Sequence, residues 1–278
     1  MKKTILITGC NGYVASNLIE YLRNKYKIIS IGRSNNQINI DNYNQVSESI
    51  KKSNIIIHLA SIINPFDRDI FKINVDYTKF LVDKAKKYNK KFIYLSTQNV
   101  LFGKDNYSKS KKEAEKLVKI LKNHVILRPT VIYGKNEKRY IGKLITFIKK
   151  SFFVPIIGNG KNKLQPIYID DLIKIIEFCI DRNIKGTFLT PGGSVISYEN
   201  LIDLIIKELK IKRIKFYLPI LIIKPFAFLF QNLFKNPPIT TIQLQNLKIN
   251  KTYNIKKLQK IFNIKLKNIN EGISTILK

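Results

Sequence analysis

The 278-residue chain is poor in cysteine and histidine, with two of each. Cys10 sits in a glycine-containing turn and Cys179 in an apolar, helix-like segment (IIEFCI), far away in sequence. Two such cysteines do not make a disulfide framework, and they point to a reducing compartment, hence a cytoplasmic location. No His/Cys cluster with metal-ligand spacing occurs, so no metal site is expected. No uninterrupted apolar run reaches the ~20 residues that span a bilayer. The N-terminus enters a strand pattern almost at once, which leaves no room for a signal peptide. Repeats and low-complexity linkers are also missing, so lobes of this chain are expected to interleave instead of hanging on a tether.

Acidic residues are scarce: 19 Asp and Glu stand against 50 Lys and Arg, for a formal net charge of +31. Such a charge suits nucleic acid or an anionic membrane. Only seven of the cations are arginine, however, and the lysines are spread along the chain. Lysine, isoleucine and asparagine, all overused here, share AT-rich codons, so much of the charge reads as coding bias. No RNA-binding aromatic signature accompanies it. Direct nucleic-acid binding is therefore not expected; attraction of anionic substrates is the more economical use of the field.

What is present is an alternation of patterns. Strands are expected at 4–8, 27–31, 38–40, 55–59, 91–95 and 125–128. Helices are expected at 12–24, 43–52, 72–88, 107–122, 141–149 and 170–181. Strands separated by helices imply a doubly wound parallel sheet, an α/β fold of the Rossmann type. The length leaves room for this core plus a smaller lobe. The core is expected over 1–182, with 135–165 contributing in part to a smaller C-terminal substrate-binding lobe over 183–278. From about residue 187 a strand and turn (GTFLTPGG), an amphipathic helix (SYENLIDLIIKELK) and an apolar-rich tail follow.

Two motifs carry chemistry. The run TILIT at 4–8 is a β-branched strand, followed by Gly9-Cys10-Asn11-Gly12-Tyr13-Val14-Ala15 and then a helical pattern. Gly9 allows a tight turn, Gly12 lets the backbone approach a pyrophosphate, and Ala15 keeps helix and sheet close. The helix N-terminus then faces the anion. The second motif is Tyr107 and Lys111, four residues apart and so on one helical face. An ammonium beside a phenol favours the phenolate and lowers its pKa from about 10. That makes a proton carrier for interconverting an alcohol and a ketone.

With further segments in order, the chain resembles the extended short-chain dehydrogenase/reductases, the NAD-dependent epimerase/dehydratase family. The segments are His58-Leu59-Ala60-Ser61, Asn74-Val75, Tyr94-Leu95-Ser96-Thr97, Leu127-Arg128-Pro129-Thr130-Val131-Ile132-Tyr133-Gly134, Gly158-Asn159-Gly160 and Pro166-Ile167-Tyr168-Ile169-Asp170-Asp171-Leu172. The resemblance covers most of the chain. It implies Tyr107 as general acid/base and Lys111 as the group that lowers its pKa and holds the nicotinamide ribose. Thr97 most resembles the catalytic hydroxyl that holds the substrate oxygen, with Ser96 as the fallback. Asn74 is either part of a lysine–water relay or a helix N-cap. His58 reads as a strand-end structural residue. Cofactor contacts are implied for Gly9, Asn11, Gly12, Tyr13, Val14, Arg33, Leu59, Ala60, Tyr107, Lys111 and Pro129, with Asn39 and Ile40 near the adenine.

An acidic residue after the second strand binds the ribose 2′-hydroxyl of NAD, whereas an Arg accommodates the 2′-phosphate of NADP. Here the second strand ends Ile31-Gly32-Arg33-Ser34, so NADP is preferred over NAD and Arg33 would carry the phosphate. The implied reaction is hydride transfer on a sugar linked to a nucleotide or to a lipid carrier, by an epimerase or a reductase. A non-catalytic dinucleotide-binding protein, serving assembly or redox sensing, is the alternative on the same fold. A homodimer through helices 72–88 and 107–122 is implied by resemblance only.

Two departures from the family pattern stand out. Only nine residues separate Thr97 from Tyr107, where many members carry a longer loop that walls the sugar site. Leu164 occupies the place of an Arg that contacts the diphosphate in many nucleotide-sugar epimerases; Lys161, Lys163 and Arg139 are the candidates to replace it. Lastly, Phe216–Phe234 (FYLPILIIKPFAFLFQNLF) is strongly apolar and interrupted by Lys224, Pro219 and Pro225. It reads as a helix covering the substrate lobe, with an interfacial, lipid-engaging helix as the second reading.

Overall fold

A computed structural model describes residues 2–34, 37–234, 240–246 and 249–278. Strands occur in the order β1 (Thr4–Thr8), β2 (Lys27–Gly32), β3 (Ile38–Asn39), β4 (Ile55–His58), β5 (Lys91–Leu95), β6 (His124–Pro129), β7 (Ile132–Tyr133), β8 (Phe153–Ile157), β9 (Lys163–Leu164), β10 (Ile167–Tyr168), β11 (Gly186–Thr190), β12 (Ile196–Ser197) and β13 (Ile214–Leu218). The α-helices are α1 (Tyr13–Leu22), α2 (Tyr43–Lys52), α3 (Tyr77–Lys87), α4 (Asn106–Val118), α5 (Ile141–Lys150), α6 (Ile169–Asp181), α7 (Tyr198–Glu208), α8 (Ile220–Leu233), α9 (Thr241–Asn246), α10 (Lys256–Phe262) and α11 (Ile269–Leu277).

The chain folds as two units. The first comprises Met1–Thr130, Ile169–Thr190 and Lys260–Ile264. Its centre is a seven-stranded sheet in the order β11-β6-β5-β4-β1-β2-β3, parallel at every pairing. The order reverses at β1, which pairs β2 on one side and β4 on the other, a topological switch point. Buried on both faces, the central strands β1 and β4 are apolar without alternation: Ile5, Leu6 and Ile7 are all fully buried, as are Ile56 and Ile57. Leu81, Val82 and Ala85 of α3 and Ala114 and Val118 of α4 share one core cluster with Leu6, Ile56, Phe92 and Ile126.

The second unit comprises Val131–Tyr168, Pro191–Gln259 and Lys265–Lys278. Among its described residues are three two-stranded pairs and a core of Tyr133, Ile141, Ile145, Ile148, Val154, Ile156, Leu201, Ile202, Ile205 and Ile273, among others.

Three local patterns differ from the sequence expectation. The run 72–88 opens with a π-helical turn over Lys72–Asp76 before α3 begins. α4 stops at Val118, where Ile120 and Leu121 turn back to bond Leu117 and Val118 and Leu121 is buried. The apolar segment 216–234 is not one helix. Phe216–Leu218 finish β13 in parallel with β8, and Pro219, fixed at φ −56°, ψ 135°, breaks the strand before α8. Nor does α8 bury its apolar face: Ala227 is its one buried residue.

Candidate active site

The glycine turn follows β1. Gly9 has φ +76°, and a Cβ there would lie 2.6 Å from the Ala60 nitrogen, so glycine is required twice over, by conformation and by space. The Gly9 and Cys10 amides donate to Ile31 O at 3.0 and 3.3 Å, and Gly12 N donates to Gly9 O at 2.8 Å. Gly12 is the N-cap of α1 and supplies no side-chain cap. No side chain caps the positive end of that helix, which opens with Tyr13 and Val14, and such an end suits an anion. Asn11, exposed in the turn, accepts from Arg33 N at 3.3 Å and donates to Ser34 Oγ. This fastens the end of β2 to the phosphate turn and holds exposed Arg33 beside it. Asn39 is exposed, with Oδ1 accepting from Asp41 N, and buried Ile40 donates its amide to Gly32 O. The turn and its helix end therefore fit a dinucleotide phosphate.

Beneath the turn lies a buried relay. Thr8 Oγ1 and His58 Nδ1 are 2.7 Å apart, and His58 Nε2 and Thr78 Oγ1 are 2.9 Å apart. Thr78 gives its hydroxyl proton to Asn74 O at 2.7 Å, so it must accept from His58 Nε2–H. Nδ1 is then the acceptor, and Thr8 donates to it while taking the Leu59 and Ala60 amides. The imidazole is neutral and fully buried; desolvation and the nearby Lys111 charge pull its pKa down to about 3. His58 is a structural strut under Leu59 and Ala60.

α4 carries the candidate pair Tyr107 and Lys111. Asp105 caps it through Ser108 N at 2.9 Å, placing half-buried Tyr107 in the first turn. Lys111 lies one turn on, 2% exposed, its Nζ donating to Leu95 O at 2.7 Å and lying 4.1 Å from the Tyr94 ring centroid. Leu95 ends β5, immediately before Ser96 and Thr97, so helix and strand end are tied at the ammonium. Burial lowers the Lys111 pKa to about 7 against the partial opposition of the Glu115 charge.

Glu115 was not anticipated from the sequence. It is 2% exposed and takes a bidentate fork from Arg128, Nε to Oε1 at 2.8 Å and Nη2 to Oε2 at 2.5 Å. Ser96 Oγ donates to the same carboxylate at 2.6 Å. The signal was its spacing, four residues beyond Lys111 on the same face of α4.

The remaining candidates divide. The Ser96 proton is committed to Glu115, whereas buried Thr97 accepts from Asn99 N at 3.2 Å through Oγ1, caps the 3₁₀ turn Gln98–Leu101, and keeps its proton to donate. Asn74 sits inside the π turn and is not an N-cap. Its Oδ1 accepts from Ile62 N (2.8 Å) and Ser61 Oγ (3.2 Å), and its Nδ2 donates to Ile62 O (2.9 Å) and Ser110 Oγ (3.0 Å). It pins the residue next to Lys111 to the loop after β4, and the π turn is what aims it there. Pro129 is buried at the end of β6, opposite Thr190 of β11. Arg139, Lys161, Lys163 and Leu164 all belong to the second unit. Among the described residues no group of His, Cys, Asp and Glu could hold a metal ion.

The model of the NAD dependent epimerase/dehydratase family matches residues 5–188. The chain is similar to a UDP-glucose 4-epimerase of Vibrio cholerae, 26% identical over 247 residues, covering 73% of this chain and 74% of the relative. It is also similar to a dTDP-D-glucose 4,6-dehydratase of Dictyostelium discoideum, 29% identical over 250 residues, covering 68% of this chain and 58% of the relative. Among solved structures, MoeE5 in complex with UDP-glucose and NAD superposes with a TM-score of 0.78 at 16% identity, over 99% of this chain and 97% of that one. A dTDP-4-dehydrorhamnose reductase of Bacillus anthracis in complex with NADP gives 0.75 at 21%, over 99% of each. These structures share the fold, and they bind NAD in one case and NADP in the other.

Proposed function

The chain belongs to the NAD dependent epimerase/dehydratase family, and from that premise we propose that it is an NADP-preferring oxidoreductase or epimerase acting on a nucleotide-linked or lipid-linked sugar. The observation that carries the reading is the ammonium of Lys111, buried one turn behind half-buried Tyr107 and fixed to the end of β5. A solvated surface lysine has no reason to be so held.

When bound, a nicotinamide dinucleotide supplies the hydride acceptor or donor. The Gly9–Gly12 turn and the α1 N-terminus hold its phosphates, and Arg33, with no carboxylate at the end of β2, takes a 2′-phosphate. Thr97 donates its free hydroxyl proton to the substrate oxygen and orients it. Tyr107, as phenolate, takes the proton from the sugar hydroxyl as the carbinol carbon loses hydride; in reverse it protonates the carbonyl oxygen. Lys111 stabilises the phenolate by its charge, and Glu115 keeps that charge in place inside the protein. A 4-keto-sugar reductase stops after one transfer, whereas an epimerase turns the keto sugar over and repeats the steps backwards.

The test is a cofactor-reduction assay against a panel of nucleotide sugars and keto-sugars, with mass spectrometry of the products. Tyr107→Phe should lower turnover by roughly 10²- to 10⁴-fold, the usual span of general acid–base catalysis. Unchanged turnover would remove the mechanism. Arg33→Glu should weaken NADP binding by at least about tenfold and spare NAD, a reversal of charge at a phosphate site. Equal affinities for NADP before and after would refute the cofactor preference.

A further inference from the structure

We propose that the second unit carries a docking surface for an anionic membrane, built on the outward face of α8. This surface is independent of the reaction proposed above.

α8 is inverted. Leu221 is 84% exposed, Leu233 66%, Phe228 61%, Ile222 57%, Phe226 54% and Leu229 51%. Ile222, Phe226, Leu229 and Leu233 step by four, three and four residues and Leu221 and Phe228 lie beside that row, so they share one broad helical face, and that face is the one turned to solvent. Ordinary surface helices bury this stripe. The helix is also too short to span a bilayer: among the described residues no helix is long and apolar enough to cross one. An apolar face of this length lies in the plane of a lipid interface, sunk to the acyl boundary.

The charge says what covers it. Between Leu209 and Asn270 the chain has thirteen Lys and Arg and no Asp or Glu. Lys224 lies exposed within α8 itself, able to reach the headgroup level. At the far end of β13 is a second basic and aromatic cluster. Ile214 pairs with Phe153 and donates its amide to Phe152 O; Phe152 and Phe153 are 56% and 58% exposed. Exposed Lys149, Lys150 and Lys212 flank them, and Arg213 holds that knuckle together by donating to Ile148 O and Lys149 O. Lys215 is held by Glu199 and Asp203 and Lys251 is buried, but exposed Lys149, Lys150, Lys212 and Lys224 beside apolar side chains complement anionic lipid. The same cations disfavour a second copy of the chain on this face, because two like-charged surfaces would have to meet.

The test is flotation of the full-length protein with vesicles of phosphatidylcholine alone and of phosphatidylcholine with about one-third phosphatidylglycerol, at low and at roughly 0.5 M salt. The protein should float with the anionic vesicles only. The double substitution Leu221→Asp and Leu229→Asp should weaken that binding by at least about tenfold, as expected for losing two inserted leucines. Sugar turnover and cofactor binding of this variant should match the parent, which separates the surface from the reaction and reports folding. The chain has no tryptophan, so Phe226→Trp gives a single reporter whose emission should shift to the blue on anionic vesicles and be quenched by acyl-brominated lipid. Three results overturn the proposal: no flotation with anionic vesicles, flotation that survives the double substitution undiminished, or a light-scattering dimer that the double substitution dissolves.

Discussion

α4 and α8 invert the ordinary surface rule in opposite senses. α4 takes charge and hydroxyl inside: Ser108, Ser110, Lys111 and Glu115 are all at most 2% exposed. α8 leaves leucine and phenylalanine outside. The difference lies in compensation. Each buried polar group of α4 has partners within the first unit: Asp105 for Ser108, Asn74 for Ser110, Leu95 O for Lys111, Arg128 and Ser96 for Glu115. Burying those groups is tolerable only because the network is complete. The exposed face of α8 has no such cover among the described residues, which is the ground for the docking surface proposed above. On the proposals made above, one inversion marks where the protein does chemistry on a small molecule and the other where it meets a lipid surface.

The sharpest way to break the comparison is to remove one internal partner. Glu115→Leu leaves the Arg128 guanidinium and the Lys111 ammonium without their counter-charge and strips Ser96 of its acceptor. Breaking a buried pair in this way should cost roughly 3–5 kcal/mol, read as a lowered denaturant midpoint. A loss below about 1 kcal/mol would mean that the network is an ornament of the fold and not its support.

A gentler change separates support from charge. Glu115→Gln keeps the volume and part of the hydrogen bonding but removes the charge that raises the Lys111 pKa. With that push gone, burial takes the lysine further below about 7. Activity that needs the ammonium is lost as pH rises through this value. The alkaline limb of kcat/KM should therefore move to lower pH in Glu115→Gln, and Glu115→Asp should move it back toward the parent. A purely structural glutamate would lower the whole profile without shifting the limb.

His58, whose ring stacks on Tyr94 close to Lys111, tests the buried relay beneath the glycine turn. Its folded pKa, about 3, lies below the unfolded value of 6.5, so the unfolded chain binds the extra proton between those pH values. Stability is then fully present above 6.5 and lost as pH falls toward 3. Glu199, whose pKa is also lowered, adds a loss of the same sign only below its ordinary value of 4.5. The interval from 6.5 to 4.5 isolates the histidine. His58→Gln should flatten the fall in denaturant midpoint across that interval.

Much of this was legible in the sequence, for identifiable reasons. TILIT and KFIYL are apolar on both faces, and a parallel strand buried on both sides needs that. Gly9 announced the turn because position and residue type together leave few alternatives. Tyr107 and Lys111 were readable from a helical spacing of four. What escaped was set by contacts remote in sequence. That Ser96 gives its proton to Glu115 while Thr97 keeps its own depends on where β5 and α4 meet, nineteen residues apart. Asn74 looked like a cap because Asn often is one; the π turn that aims it at Ser110 has no residue signature. The apolar run 216–234 told its composition and not its exposure, since periodicity says which residues share a face but not which way that face points.

The smallest expected effect is also the one that most separates the two helices. Leu229 on α8 is 51% exposed, and its neighbours on the face are more so. A leucine that is already half in water loses little transfer free energy when replaced. Leu229→Gln in lipid-free solution should shift the denaturant midpoint by no more than about 0.5 kcal/mol in either direction. Its solubility should rise, because an exposed apolar face invites self-association. The same substitution in a buried face, Ile205 of α7 for instance, which is 0% exposed, should be several times more costly, since it would strand an amide in the core. If Leu229→Gln were as damaging as that, α8 would be packed in solution against a surface of the folded protein, and its apolar residues would be core and not contact.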